Sequence, residues 1–385
     1  MKIAIISSYS WIRRENNYGA LLQYFALQKY LEGIGHEVFW IRYNPKFKVS
    51  DRRSKIRILL SWVKRIVLSI IKFQTTKEIK SCKKGFNQFL NNEINTSDKE
   101  YKTWDELCAD PPKADMYITG SDQVWLGLNK ANYLEFVPEN SRKFSYGASF
   151  GKNDLSKEEE NQVREFLKKF KRISIREKDG LEICTELGRD DAVQVIDPTM
   201  LLDKKEYLTF KYTEGKKPST NYLLCYFLNV YNKERIYFDR IKHYTETEKL
   251  GLKVVPVQGA EYVFSGNYQS MPDPANWLLA INNSNGIITN SFHGTVFSII
   301  MRRSFLVVLQ SGSSSEQNCR FLSLLERLGL DNRIYNPNKS MKLQMEAHID
   351  WGKVEKEQNV FKDFSTAFLQ DCISDVQKLN IKQLL

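Results

Sequence analysis

Short apolar runs of strand length alternate along this chain with longer segments of helical periodicity. In the first half, the apolar runs are KIAIIS, VFWIRY, ADMYITGSDQVW, KFSYGASFG and AVQVIDPTMLLD. Between the first two lies GALLQYFALQKYLEGIGHEV, whose apolar residues recur at near-helical spacing and which closes at Gly33 and Gly35. An alternation of this kind is typical of parallel βαβ units. We therefore predict an α/β protein.

The second half of the chain repeats the same alternation after a polar stretch. Its apolar runs are YLLCYFL, LKVVPVQ, GIITN and FLVVL, and the polar stretch KYTEGKKPSTN is typical of a linker. A chain of 385 residues is also too long for one core of ordinary size. We predict two domains, 1–208 and 209–385, with a cleft between the carboxyl-terminal edges of their sheets. The segment FKDFSTAFLQDCISDVQKLN predicts a last helix that packs back on the first domain.

The composition, with 42% hydrophobic and 27% charged residues, is that of a folded globular protein. The six cysteines are far apart and form no CxxC pair, so we expect reduced thiols and no metal site. The stretch MKIAIISSYS is a short apolar run with no cleavage site of small residues after it. From these features we expect a cytoplasmic protein.

The excess positive charge lies in one segment of the chain. The net charge is +11, and residues 46–84 hold thirteen lysines and arginines against Asp51 and Glu78, which accounts for the whole excess. A nucleic-acid-binding protein is expected to carry basic residues along a groove together with a known reading motif, and the sequence has no such motif. We therefore predict no nucleic-acid partner.

Part of this basic segment predicts an amphipathic helix. In IRILLSWVKRIVLSIIKF, residues 56–73, polar side chains recur every three or four positions on a mostly apolar helix. Its four charges disfavour a span through lipid. We predict a helix at an anionic membrane surface, with the protein peripheral at the inner face of the plasma membrane. The alternative is a helix packed on its own domain or on a partner subunit.

His293 is the first candidate for chemistry, because it lies at a strand-to-helix turn in ITNSFHGTVFSIIM. Gly294 permits a close backbone approach, and the amino terminus of the following helix offers unpaired N–H groups to an anion. Thr289, Asn290 and Ser291 add hydroxyl and amide donors to this cradle. An imidazole transfers protons near neutral pH. The alternative is a structural histidine that caps a turn.

Arg176 is a second candidate, at the end of the short strand in ISIREKDG. The planar fork of an arginine matches carboxylate and phosphate groups in two-point contacts. The alternative is an ion pair with Glu177 or Asp179.

Two further turns predict contacts to a sugar. In TGSDQVW, we expect Asp122 to accept hydrogen bonds from sugar hydroxyls, beside Ser121, and Trp125 to stack on a ring face. The alternative is a helix cap by Ser121 or Asp122 with a core tryptophan. In NNYGALLQ, the first strand-to-helix turn, Asn17 and Gly19 are expected to face the cleft, or the glycine serves turn geometry alone.

Several well-known motifs are missing from the sequence. It contains no GxGxxG, GxxxxGK[ST], HExxH or EF-hand loop. Dinucleotide enzymes, P-loop kinases and zinc proteases therefore lose their usual support.

Four stretches in this order are more specific together than any one alone: NYGALLQYFALQKYLEGIGHEV, TGSDQVW, ISIREKDG and ITNSFHGTVFSIIM. With VIDPTMLLD and RFLSLLERLGL, they resemble the polysaccharide pyruvyl transferase family from about residue 1 to about residue 335. The resemblance implies two Rossmann-like domains in the GT-B arrangement. It also implies that the enolpyruvyl unit of phosphoenolpyruvate is moved, as a ketal, onto a sugar of a cell-surface polysaccharide precursor, without a metal or other cofactor.

The resemblance also implies roles for the candidate residues. His293 is expected to protonate the methylene carbon of phosphoenolpyruvate or to manage the protons of phosphate and hydroxyl, while Arg176 holds the anion. Family members resemble Ser-x-Arg-Leu-His at this turn, and the position of that arginine is Ser291 here. Either Arg320 or a lysine from another loop replaces it, or a different donor is used.

An acceptor sugar carried on a polyprenyl diphosphate would explain why a membrane-surface helix is present. Two alternative functions stay open at this point. One is a GT-B glycosyltransferase that uses a nucleotide sugar, since that fold serves many donors. The other is a non-catalytic, membrane-peripheral protein of glycan assembly.

Overall fold

The computed structural model describes residues 1–7, 17–45, 73–210, 221–230, 232–256, 263–264 and 272–384 of the chain. Residues 46–72, which hold almost all of the predicted membrane-surface helix, lie outside the described residues. The predicted linker does too, except for Asn221. In the described part, no helix is both long enough and apolar enough to cross a bilayer.

Seven parallel strands of the described chain form the amino-terminal sheet. They are β1 (Lys2–Ile6), β2 (Glu37–Tyr43), β3 (Thr96–Tyr101), β4 (Met116–Asp122), β5 (Lys143–Ala148), β6 (Ser174–Ile175) and β7 (Val193–Gln194). Their order is β3-β2-β1-β4-β5-β6-β7, so the winding direction reverses between β1 and β4. Ligands of open α/β sheets bind at the carboxyl ends of the strands at such a switch point.

A second sheet of four parallel strands follows. They are β8 (Tyr222–Phe227), β9 (Gly251–Pro256), β10 (Gly286–Thr289) and β11 (Phe305–Val307). The order β11-β10-β8-β9 places its switch point between β8 and β10. The predicted α/β class with parallel sheets is thereby confirmed.

The described helices connect the strands and cover the sheets. They are α1 (Tyr18–Gly33), α2 (Phe73–Glu93), α3 (Trp104–Ala109), α4 (Lys157–Leu167), α5 (Lys178–Glu186), α6 (Lys204–Tyr207), α7 (Phe238–Thr247), α8 (Pro274–Asn283), α9 (Phe292–Ile300), α10 (Cys319–Arg327), α11 (Met341–Glu346) and α12 (Trp351–Leu384). The last residues of the basic segment 46–84 thus belong to the start of α2. The side chain of Asn17 begins α1 by accepting a hydrogen bond from the Ala20 amide at 3.2 Å.

One strand was not predicted, and two are shorter than predicted. β3 has the sequence TSDKEY at the sheet edge, where one side has no strand neighbour and polar residues are tolerated. β6 and β7 have two residues each.

The hydrophobic core continues across the boundary between the two sheets. One cluster of buried residues includes Ile3 and Ile118 of the first sheet together with Tyr226 of the second and Val376 of α12. The last helix α12 lies against the amino-terminal unit, where Arg172 donates to Asp375 at 2.7 Å. Because apolar burial favours close contact, this shared core holds the two units in a fixed relation.

Candidate active site

A cavity of about 510 Å³ lies where the carboxyl ends of the two sheets face each other. Its walls come from the segments that follow β4, β8, β10 and β11, and from the starts of α1 and α10. Amide side chains are frequent in these walls, namely Asn17, Gln123, Asn229, Asn232, Asn290, Gln310 and Gln317. Because both switch points open into it, this cavity is the candidate active site.

His293 lies in the first turn of α9, in the wall of the cavity. Ser291 caps this helix by accepting a hydrogen bond from the Gly294 amide at 3.3 Å. The imidazole Nε2 lies 3.4 Å from Oδ2 of Asp197, which is an ion-pair distance for a protonated ring. A histidine of the second domain thus meets a carboxylate of the first.

Gly19 packs directly against this imidazole from the first turn of α1. A Cβ atom at position 19 would lie well within 3.0 Å of Nδ1, Cγ and Cβ of His293. No side chain fits there unless the ring or the helix moves. The sequence predicts that Gly19 faces the cleft or serves turn geometry, and the structure corrects both interpretations. The glycine is needed because a helix and an imidazole approach closely.

Asp197 follows β7, and several donors converge on its carboxylate. Oδ1 accepts hydrogen bonds from the amide and the hydroxyl of Thr199, at 3.0 and 2.6 Å. Oδ2 accepts from Nη1 of Arg176 at 3.0 Å and lies 3.5 Å from the Ser121 hydroxyl. Burial raises the pKa of Asp197, but the charges of His293 and Arg176 outweigh burial and hold it below the ordinary aspartate value. Asp197 is therefore ionised at neutral pH.

Arg176 lies behind the cavity wall, with 2% of its side chain exposed. Its guanidinium donates to Oδ2 of Asp197 at 3.0 Å and to Oδ1 of Asp122 at 3.2 Å. The same group lies 4.4 Å from the ring centre of Phe292. Its Nε is 3.9 Å from Glu177. The planar fork is therefore occupied by carboxylates of the protein.

The buried position of Arg176 argues against the anion-binding role that the sequence predicts for it. Arg176 is not among the described residues that line the cavity, so it does not contact a ligand there directly. Ion pairing was the alternative interpretation, with Glu177 or Asp179 as the expected partner. The closest partners are instead Asp122 at the end of β4 and Asp197 after β7, at the same carboxyl edge of the sheet as Arg176.

Asp122 ends β4 with a left-handed backbone, at φ +75°. This conformation is uncommon outside glycine, and aspartate is among the residues that tolerate it. Burial raises the pKa of Asp122, but the charges of Arg176 and His293 outweigh burial and bring it below the ordinary value. Asp122 lines the cavity as a carboxylate whose charge Arg176 compensates. Across the described ranges, no group of three or more His, Cys, Asp or Glu side chains is placed to hold a metal ion.

The residues predicted to cradle the donor divide between the cavity wall and the layer beneath it. Asn290 and Ser291 line the cavity. Asn290 also joins the ends of β8 and β10, since its amide binds the backbone N–H and carbonyl of Leu228 at 2.6 and 2.8 Å. Thr289 donates to a carbonyl of β8 at 2.6 Å, and Gly294 packs against that threonine. Thr289 and Gly294 therefore support the turn from below.

The residues predicted to bind the acceptor divide in the same way. Asn17 and Asp122 line the cavity. Ser121 is fully buried, and its hydroxyl donates to a carbonyl of β5 at 3.1 Å. Trp125 is 1% exposed and stacks on Tyr133 with ring centres 5.6 Å apart. The structure thus corrects the sugar-stacking prediction for Trp125, because core packing already covers the indole.

Arg320 differs from Arg176, because none of the described carboxylates pairs with it and it lines the cavity. It is 6% exposed, and its guanidinium donates to the backbone and side-chain oxygens of Gln317 at 3.2 and 3.0 Å. Burial and the nearby charge of Arg176 lower the pKa of Arg320. The charges of Asp122 and Glu177 act against this shift, but no described carboxylate lies at ion-pair distance, so a bound anion would provide a direct partner for the guanidinium.

Sequence reasoning missed Asp197 and several cavity amides. Asp197 stands in VIDPTMLLD without a predicted role, yet it is the residue on which Arg176 and His293 converge. Gln123, Asn229 and Gln310 follow β4, β8 and β11. These residues could have been found from their position directly after an apolar run, because parallel strands have their carboxyl ends there.

The two aspartates predict a loss of stability in acid. Their folded pKa values lie below the unfolded value of about 3.9, so the stability they contribute above that pH is lost as the pH falls. Glu177 acts in the opposite sense, because burial raises its pKa, and offsets part of the loss. We expect the free energy of unfolding to fall as the pH drops below about 5, and to keep falling until the pH has passed the lowered folded pKa values. Denaturant titrations should show a smaller drop for Asp197→Asn, and an equal drop would contradict this account.

Solved structures with the same architecture were found at low sequence identity. A UDP-N-acetylglucosamine 2-epimerase from Rickettsia bellii matches with a TM-score of 0.54 and 10% identity, covering 99% of this chain and 98% of that one. A UDP-GlcNAc 2-epimerase from Methanocaldococcus jannaschii matches with a TM-score of 0.51 and 12% identity, covering 95% of this chain and 100% of that one. These likenesses show a GT-B-type fold of two Rossmann-like domains, as predicted, and nothing about substrate.

Sequence comparison assigns the family. No curated protein matches the chain. A family model described as polysaccharide pyruvyl transferase matches residues 17–312, about three-quarters of the chain, including the β10–α9 turn with His293 and the segment after β7 with Asp197. The chain therefore belongs to the polysaccharide pyruvyl transferase family and is a transferase.

Proposed function

We propose that the protein transfers the enolpyruvyl unit of phosphoenolpyruvate to two hydroxyl groups of a sugar in a cell-surface polysaccharide precursor. The products are a cyclic ketal and inorganic phosphate. One observation carries the proposal. At one cavity of a pyruvyl transferase family member, a histidine–carboxylate pair meets a buried guanidinium that has no described carboxylate at ion-pair distance. These groups are His293 with Asp197, and Arg320.

Donor binding is supported by the charge distribution in the cavity. Phosphoenolpyruvate carries a phosphate and a carboxylate, and arginine binds either group in two-point contacts. Arg320 lines the cavity without a described carboxylate at ion-pair distance, and it replaces the arginine whose place Ser291 takes. The first turn of α9 adds backbone N–H groups, which favour anions. Arg235 at the exposed rim of the cavity provides a second guanidinium.

The proton chemistry follows from the position of His293. The imidazolium gives a proton to the methylene carbon C3, and the carbon C2 becomes an electrophile that the first sugar hydroxyl attacks. The C2–O bond to phosphate then breaks, and the second hydroxyl adds to C2 to close the ketal. The two hydroxyls release two protons, of which one replaces the proton given to C3 and the other leaves with phosphate. The histidine ends the cycle as it began.

Acceptor binding is assigned to the amide side chains of the cavity. Gln123 and Asn17 come from the first domain, and Asn229 and Asn232 come from the second. Amides both donate and accept hydrogen bonds, which suits sugar hydroxyls. A polyprenyl diphosphate carrier and a membrane contact through 46–84 stay predictions of the sequence.

We expect phosphoenolpyruvate to raise the melting temperature of the protein, and Arg320→Met to weaken that binding. A hydrogen bond to a charged group contributes about 1.5–3 kcal/mol, so the apparent Kd should rise by about tenfold or more. Fluorimetric melting curves over a phosphoenolpyruvate titration would measure this change. Arg327→Met is the matched control, since Arg327 lies on the same helix α10 but stacks on Phe361 outside the cavity.

The outcomes separate the candidate functions. Stabilisation by a nucleoside diphosphate and not by phosphoenolpyruvate would indicate a nucleotide-sugar glycosyltransferase, and stabilisation by neither would indicate a non-catalytic protein. If Arg320→Met titrates like the wild type, Arg320 does not hold the donor. Mass spectrometry of a lipid-linked oligosaccharide incubated with the protein and phosphoenolpyruvate tests for the ketal itself.

A further inference from the structure

The carboxylate beside His293 is rigidly held. Asp197 is 2% exposed, in a motif to which the sequence alone assigns no role. Oδ1 is fixed by two hydrogen bonds from Thr199 and Oδ2 by one from Arg176. With both oxygens bound, the carboxylate cannot rotate away from the ring. Oδ2 is therefore kept toward Nε2 of His293, at 3.4 Å.

The two ring nitrogens of His293 have different surroundings. Nε2 is buried and lies 3.4 Å from Oδ2 of the ionised Asp197 carboxylate, but it makes no hydrogen bond to any of the described residues. Nδ1 lies beside Gly19 in the first turn of α1, where a Cβ atom would contact the ring. A carboxylate accepts a hydrogen bond and cannot donate one, so it favours the neutral ring that carries its proton on Nε2.

We infer that Asp197 is a positioning residue that holds the His293 proton on Nε2, so that the transferable proton is the one on Nδ1. The inference rests on the proposed function only for the group that receives this proton. In that reaction the Nδ1–H bond breaks while the C=C electron pair of phosphoenolpyruvate forms the new C3–H bond. The neutral ring keeps its Nε2 proton and regains the other from a sugar hydroxyl.

Nitrogen NMR of protein labelled with [15N]histidine tests the inference directly. The chain has four histidines, and His293→Gln identifies the ring signals of His293 by their loss. At about pH 8, where an ordinary imidazole is neutral, we expect the proton of the wild-type ring on Nε2. In Asp197→Asn we expect that preference to be lost, because an amide can donate a hydrogen bond as well as accept one.

Asp122→Asn is the matched control, because it removes the other carboxylate partner of Arg176 and leaves Asp197 beside the ring. It should keep the Nε2 proton. A wild-type ring with its proton on Nδ1 would overturn the inference, and so would a folded Asp197→Asn with wild-type histidine signals. The wild-type measurement holds even if Asp197→Asn does not fold. If the Nε2 proton is found but phosphoenolpyruvate is not turned over, the proposed function fails and the positioning role stands.

Discussion

Replacing His293 by glutamine is expected to lower kcat for pyruvyl transfer by about 10³-fold. Glutamine can still hydrogen-bond Asp197, but it has no proton to give at neutral pH. Binding of phosphoenolpyruvate should change little, because Arg320 and the backbone of the α9 turn remain in place. Initial rates of phosphate release with phosphoenolpyruvate and a glycan acceptor would measure the loss, and melting curves would measure the binding.

The matched control is His243→Gln. His243 is exposed on α7 and does not line the cavity, so its replacement should leave kcat unchanged. In heavy water, the wild type should place one deuterium in the pyruvyl methyl group, because C3 gains a single exchangeable proton. If His293→Gln turns over within about threefold of the wild type, the imidazole contributes no general acid and the proton must come from another group.

Gly19→Ala is expected to damage both activity and stability. The added Cβ would lie well within 3.0 Å of the His293 ring, which Asp197 holds from the other side. The helix cannot easily shift instead, because Tyr18 in the same turn stacks on Trp277 of the second domain with ring centres 4.8 Å apart. We expect a loss of about 1–3 kcal/mol in the free energy of unfolding. We also expect a fall in kcat of about 10²-fold, because small displacements of a reacting group have effects of that size.

Gly33→Ala is the matched control for this substitution. Gly33 is the last residue of the same helix, and a Cβ at that position would meet no atom within 4 Å. Alanine is the better helix former, so stability should rise slightly or stay the same, and kcat should not change. Denaturant unfolding and initial rates on both variants make the comparison. If the two alanine variants have the same kcat and the same free energy of unfolding, the contact between α1 and the imidazole contributes to neither activity nor stability.

Most of the strands could be predicted because their pattern is local. The runs KIAIIS, YLLCYFL and GIITN are buried on both faces of parallel sheets, and their apolar character is visible without knowledge of any neighbour. β3 could not be found in this way, since an edge strand does not need apolar residues. The order of the strands in each sheet could not be predicted either. It depends on the direction of the crossover connections, which the hydrophobic pattern of the sequence does not show.

The candidate site was predicted in part, and the limit is physical. The position of a side chain after a strand is a local property, so His293, Asp122 and Asn290 were found in that way and all line the cavity. Whether a side chain at a strand end reaches the cavity or a neighbouring strand end depends on the packing around it. Arg176 satisfies the same sequence criterion, yet two carboxylates enclose it.

The sequence alone determined the α/β class, the strand-to-helix turns that carry the chemistry and the resemblance to a pyruvyl transferase family. These could be predicted because periodicity, turn residues and motifs involve residues that are close together in the sequence. Only the tertiary structure decided that Asp197 joins Arg176 to His293, that Gly19 makes room for the imidazole and that Arg320 is a buried cation in the cavity wall with no described carboxylate at ion-pair distance. These relations join residues far apart in the chain. They form only when two sheets and a shared core bring the strand ends together.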